Sequence, residues 1–183
     1  MENRTQKSED MSTNHDMLSG MFHDRESTEN AYKTLVDKGY SKDEINLVMT
    51  GETLKKHFLG DIRHTEYGAY TTKYAVKDPS ICSNPSVISE EIGLNGKSVV
   101  VRGLVIILSG PIASGISGSG ASGIPGGIIG ALIESGFSKT SSNIYEAGIK
   151  KGNIIIGVKL HNDDDAQYIK TNWRTVKVEE IHI

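Results

Sequence analysis

The stretch that decides the fold is MLSGMFHDRESTENAYKTLVDKGYSKDEINLVM, Met17–Met49. It opens on a short apolar run, Met17–Phe22, which reads as a strand. Asp24 follows as a helix N-cap, with Glu26 in the first turn, where the positive end of the helix dipole favours a carboxylate. Ala31 and Leu35, with Tyr32 and Val36 beside them, recur at spacings of three and four and mark one apolar helix face. Gly39 ends that helix, because glycine adopts the left-handed conformation that closes it, and Tyr40 supplies the accompanying hydrophobic contact. Ser41 and Glu44 are spaced as a capping box for one short turn. Ile45–Met49 reads as a second strand. The stretch is a strand–helix–strand unit, with a right-handed connection if its strands are parallel.

The pattern returns at the other end of the chain. Asn153–Leu160 carries the β-branched residues Ile154, Ile155, Ile156 and Val158. Asn162 or Asp163 is placed to cap a helix, and Asp163, Asp164 and Asp165 sit where the dipole favours them. Ala166, Ile169 and Trp173 have helical apolar spacing. Val176–Ile183 alternates loosely as a last strand. Two such units in one four-stranded antiparallel sheet give the ferredoxin-like, split-βαβ arrangement. The expected fold class is therefore α+β, with a glycine-rich helical segment inserted between the units.

The whole-chain numbers fit one domain. The 183 residues are 37% hydrophobic and 6% aromatic, so the core should be mostly aliphatic. The net charge is −3, and no basic face stands out, so nucleic acid is not an expected partner. The one cysteine, Cys82, cannot form an intramolecular disulfide, which fits a reducing compartment. Residues 1–16 are polar, lack the basic start and apolar run of a signal peptide, and read as a disordered arm. The expected location is cytoplasmic. Residues 17–183 form the domain, with an insertion at 50–152. That insertion holds a polar region at 50–97, a glycine-rich segment at 103–133 and a helix at 139–151 capped by Ser138 and closed by Gly152.

The segment Gly103–Ile133 has no charge and admits three readings. Its length exceeds the roughly 20 residues of a membrane span, and Gly115 and the Gly126–Gly130 spacing suit close helix packing. Serines 114, 117, 119 and 122 interrupt it, and Leu104–Leu108 and Ile124–Ile133 are each short. Gly118–Gly123 matches GxGxxG, but Pro125 and the pair Gly126–Gly127 weaken the helix such a nucleotide loop needs. The third reading is internal: small-residue elements, a glycine zipper, packed against the sheet and available for self-association.

Residues that could carry chemistry form no recognisable constellation. His15, His23, His57, His64, His161 and His182 show no metal-ligand spacing and read as partly exposed loop residues. His23 and His161 occupy equivalent places in the two units. Asp163–Asp165 lacks the spaced donors of a calcium loop. No GxSxG nucleophile elbow occurs. Tyr67, Tyr70 and Tyr74 have few interleaved basic residues and read as packing. No catalytic residue, cofactor or metal is expected.

Phe22–Ala31 and Leu35–Met49 resemble the opening of the general stress protein 17M-like, or heat-induced stress protein, domain. Leu108-Ser-Gly110-Pro111-Ile-Ala113 is similar to that family's glycine–proline turn. Gly126–Leu132, Gly136–Ser138 and Tyr145–Ile156 are similar to its zipper, helix and strand. The polar 50–97 region departs from the family's shorter, more Ala/Gly-rich middle. The resemblance implies a bacterial protein associated with general stress and brings no catalytic residues with it. The expected function is a non-enzymatic, self-associating interaction or scaffold module, with Gly110, Pro111, Gly115, Gly126, Gly127 and Gly130 as structural or interaction positions. The expected partner is a second copy of the chain. The alternatives are membrane association through 103–133 and a small-ligand or nucleotide site at 118–123.

Overall fold

The computed structural model describes residues 17–58, 88, 91, 96–115 and 126–183. The first unit runs β1 (Met17–Phe22), α1 (Arg25–Lys38), a single 3-10 turn (Lys42–Glu44) and β2 (Ile45–Thr50). Its ends are the ones local chemistry dictates. The Asp24 carboxylate accepts from the Ser27 amide at 2.8 Å. Gly39 sits at φ 104°, and the Tyr40 amide reaches back to the Leu35 carbonyl at 3.1 Å, closing the helix. The second unit runs β5 (Ile154–Lys159), α6 (Asp163–Thr175) and β6 (Glu180–His182). Asn162 caps α6 by accepting from the Asp165 amide at 3.0 Å.

Between the units lie α2 (Gly51–His57), β3 (Lys97–Val101), β4 (Leu104–Ser109), α3 (Pro111–Gly115), α4 (Gly127–Glu134) and α5 (Lys139–Lys150). Arg102 and Gly103, both at positive φ (50° and 82°), join β3 to β4. Two consecutive positive φ values are what a two-residue hairpin turn requires.

The sheet has six strands in the order β3-β4-β2-β5-β1-β6, every neighbouring pair antiparallel. This corrects the expected four-stranded sheet. The two additional strands come from within the insertion, where the β-branched Val99–Val101 run pairs with Leu104–Ile106. The glycine-rich segment is accordingly not wholly helical, since its first residues are β4. The last strand is also shorter than Val176–Ile183. The amides of Val176 and Val178 both turn back to the Trp173 carbonyl, at 3.1 and 3.4 Å, and Lys177 adopts φ 59°. The chain cannot extend until that turn is complete.

Alternation along the strands sends side chains to two cores. Leu18 and Phe22, Ile45 and Met49, and Ile154 and Ile156 face α1 and α6, where they meet Tyr32, Leu35, Ile169 and Trp173. Met21, Val48, Ile106, Leu108 and Ile155 face the other way, against Ile112, Ile128, Leu132, Phe137, Tyr145 and Ile149. So α1 and α6 of the terminal units, joined by Leu54 and Phe58 at α2, cover one face, and α3, α4 and α5 cover the other. The inner strand β5 is buried on both faces, which explains why its sequence is a continuous aliphatic run rather than an alternation.

Two strand glycines make room for aromatic rings. A Cβ at Gly20 would lie 2.8 Å from the Trp173 ring, and one at Gly157 would lie 2.5 Å from Phe137. Each ring therefore rests directly on strand backbone.

Candidate functional site

The polar residues singled out by sequence gather into ties between elements. At the end of α1, the Tyr40 hydroxyl donates to Asp165 Oδ2 at 2.9 Å and accepts from the His161 amide at 3.1 Å. Lys38 Nζ meets Asp165 Oδ1 at 2.9 Å. The His161 imidazole stacks on the Tyr40 ring, centroids 4.2 Å apart, and its Nε2 lies 2.7 Å from Glu44 Oε1. The Ser41 amide and hydroxyl both donate to Glu44 Oε2 at 2.8 Å, completing the capping box. His161 and these Ser41 donors hold the Glu44 carboxyl down at about 2. Burial pushes the Tyr40 hydroxyl up to about 12. Burial would raise Asp165, but Lys38 and Tyr40 outweigh it and leave the carboxyl below its ordinary value. The cluster fastens the α1–β2 junction to the β5–α6 junction.

A second tie occupies the equivalent place in the first unit. His23 Nδ1 lies 3.2 Å from Asn153 Oδ1, and its Nε2 lies 2.8 Å from Glu179 Oε1. Asn153 Nδ2 donates to Glu179 Oε2 at 2.8 Å. On the insertion's face, the buried Tyr145 hydroxyl donates to Ser19 Oγ at 2.9 Å, with the His182 ring edge-on at 5.5 Å. Burial raises the Tyr145 hydroxyl well above its ordinary range. On the opposite face, Ser109 Oγ donates to the buried Glu91 at 3.1 Å. Burial, and then the nearby Glu91, raise the Tyr32 hydroxyl in the same way.

Among the described residues, no three His, Cys, Asp or Glu side chains could hold a metal ion. The Asp163–Asp165 run is spent on α6, Lys38 and Tyr40. An open polar cavity of about 210 Å³ lies between the start of α1 and the end of α6, lined by Asp24, Ser27, Asn30, Thr175 and Lys177 among others. Its Asp24 carboxylate is already engaged by the Ser27 amide and hydroxyl. Cys82, His15, His64, the tyrosines at 67, 70 and 74 and the Gly118–Gly123 motif lie outside the described residues.

The glycine and proline positions serve the layer over the sheet. Gly110, at φ 82°, presses its backbone against the Ile45 carbonyl, where no Cβ could fit. Pro111 then begins α3, a position that needs no amide hydrogen. Gly126 and Gly127, at φ 79° and 67°, start α4. A Cβ on Gly126 would meet Gly130 Cα at 3.2 Å, within the same helix, and one on Gly127 would meet Val101 at 3.6 Å. Gly115 ends α3 with nothing within 4 Å of such an atom. The Gly126–Gly130 spacing thus closes the first turn of α4.

What remains is the rim of the sheet. β6 forms one edge with only three residues, Glu180–His182, directly preceded by Glu179. Short length and acidic side chains are common guards against unwanted strand pairing. β3 forms the other edge with five residues, Lys97–Val101, and among the described residues it pairs only with β4. Its one charged residue, Lys97, donates back to the Ala113 carbonyl at 3.1 Å, so that ammonium is turned inward over α3. Val100 is 57% exposed, more than any other large hydrophobic among the described residues. The run Val99-Val-Val101 followed by a glycine-containing hairpin turn was the available signal.

No family model, curated protein or solved structure matches the chain. Among the described residues, no helix is long and apolar enough to cross a membrane. The described parts of the uncharged segment form β4, α3 and α4, with Ile106, Leu108, Ile112, Ile128 and Leu132 buried.

Proposed function

We propose that the protein is a non-enzymatic, self-associating interaction module, built on a ferredoxin-like core and serving a bacterial general stress response. The observation that supports self-association is the β3 edge, unpaired among the described residues: five residues long, valine-rich, and with its one lysine directed elsewhere. Unpaired strand edges offer a row of amide and carbonyl groups to another chain. The non-enzymatic reading is supported by the way the charged and hydroxyl groups tie elements to one another. The ferredoxin-like reading is supported by the order β6-β1-β5-β2 within the larger sheet, with α1 and α6 together on one face. The stress association is supported by the resemblance carried by Phe22–Met49 and Leu108–Ile156. Light scattering across a range of protein concentrations tests self-association directly. The mass should rise above that of one 19.9 kDa chain, and a single-chain mass throughout contradicts the reading.

A further inference from the structure

Three side chains from three junctions close a ring beside the shortest strand. His23 follows β1, Asn153 precedes β5 and Glu179 precedes β6. His23 Nδ1 faces Asn153 Oδ1 at 3.2 Å, and Asn153 Nδ2 faces Glu179 Oε2 at 2.8 Å. Glu179 Oε1 completes the circuit by facing His23 Nε2 at 2.8 Å. Both polar atoms of each side chain are therefore committed to the other two.

Counting hydrogens shows what the ring needs. Three contacts require three hydrogens. The Asn153 amide brings one, since its nitrogen donates and its oxygen accepts. A neutral imidazole brings one, and an ionised carboxylate brings none. With only those two, one contact sets lone pair against lone pair. The count is the same whichever way the amide is turned and whichever tautomer the imidazole takes. The ring closes only with one further proton, shared by the imidazole and the carboxylate. The second tie differs. There Glu44 Oε2 takes its hydrogens from Ser41, and His161 needs only the one on Nε2 to meet Glu44 Oε1. A neutral imidazole completes that tie.

The ring bears on β6 through its position. The Glu179 amide donates to the Met21 carbonyl at 2.9 Å, and β6 then pairs with β1 only over Ser19–Met21. So short a strand opens at little cost, and its docking decides whether β1 is an inner strand or an edge. The other charged groups near these junctions have partners of their own. Asp24 accepts from Ser27, with Lys177 and His57 within electrostatic reach of it. Arg25 pairs with Glu29, Lys150 with Glu146, and His182 lies 3.7 Å from Glu180.

We propose that His23, Asn153 and Glu179 form a proton-dependent latch on β6. With the extra proton the ring closes and holds the strand on β1; without it the ring opens and the strand frays. The latch acts at low pH and loses its hold as the pH rises. The His23 and Glu179 side chains are 49% and 38% exposed, so water receives the freed groups and the effect is a matter of several-fold. The latch is independent of the self-association reading.

The test is hydrogen exchange, followed by NMR as protection factors of the Glu179 amide and the β6 amides. It compares about pH 5.5 with about pH 8.5, either side of histidine's ordinary value of about 6.5. Wild type should lose protection several-fold at the higher pH, while amides in the middle of α6 keep theirs. His23→Ala, which has no ring, should show the low protection at both. Glu179→Gln separates the hydrogen count from a simple ion pair. Glutamine brings the third hydrogen itself, so the ring closes on a neutral imidazole. At about pH 8.5 this variant should be protected several-fold better than wild type. Wild-type protection that is equal at the two pH values overturns the latch. A Glu179→Gln protein no better protected than His23→Ala at the higher pH overturns the hydrogen count.

Discussion

The two faces of the sheet are covered by different helices, and they solve the same packing problem with different materials. The terminal units bring large aromatic residues, Tyr32, Tyr40 and Trp173, and lock their helices with charged and hydroxyl ties. The insertion brings short helices containing glycine, alanine and serine, with Phe137 and Tyr145 as its large members. The difference teaches what low side-chain volume is for. Helices with small residues approach the sheet closely, as at Gly148, where a Cβ would collide with Met21, and at Gly110 over Ile45. The terminal face leans on buried ring area, with Trp173 seated on Gly20, and the insertion's face combines the Phe137 and Tyr145 rings with close approach at Gly148 and Gly157.

Substitutions on the two faces should break this comparison in different ways. Trp173→Ala removes the largest buried side chain and its Nε1 hydrogen bond to the Ala31 carbonyl, and should cost about 3–5 kcal/mol in urea unfolding. A loss below 1 kcal/mol would mean that the terminal face does not depend on that ring. Tyr40→Phe leaves Asp165 with one fewer charged hydrogen bond and the His161 amide unpaired, and should cost about 1.5–3 kcal/mol.

Gly157→Ala overpacks the other face against Phe137 and should cost about 1–3 kcal/mol. The combination with Phe137→Leu sharpens the point. If close approach is the cause, the alanine should cost clearly less in that background, and additive losses would show that it acts elsewhere.

The smallest effect belongs to Glu44→Gln. The His161–Glu44 pair is nearly half exposed, so its removal should cost less than about 1 kcal/mol at neutral pH. The folded carboxyl lies at about 2 against an ordinary value of 4.5. Its contribution is therefore complete above about pH 4.5 and is lost as the pH falls toward 2. Stability curves of wild type and variant should converge over that interval, and curves that stay parallel would exclude Glu44 as the group responsible.

Much of the first face was legible in sequence because its signals are local. Asp24, Gly39, and Ser41 with Glu44 each act within a few residues, and each sits where its spacing placed it, as does Ser138 on the other face. The strand count was not legible. Whether Val99–Val101 pairs depends on β4, and whether β4 joins the sheet depends on β2, much earlier in the chain. The uncharged segment was ambiguous for the same reason. A run such as Leu104-Val-Ile-Ile-Leu108 is equally apolar as a buried strand or as part of a span, and only its partners decide. The Tyr40–His161–Asp165 tie was hidden because its members are more than a hundred residues apart. Tyr40 looked like a cap contact, and it is that as well. The edge at β3 is defined, among the described residues, by the lack of a strand on its outer side, which no local pattern records.

The insertion carries most of the second packing layer and, among the described residues, the unpaired β3 edge through which we propose that the chain associates. The mass of wild type and Val100→Lys, measured side by side by light scattering over a wide concentration range, tests that claim most directly. The account predicts a wild-type mass rising above that of one 19.9 kDa chain and a variant that remains at one. Equal masses for the two proteins, whether one chain or two, would contradict it.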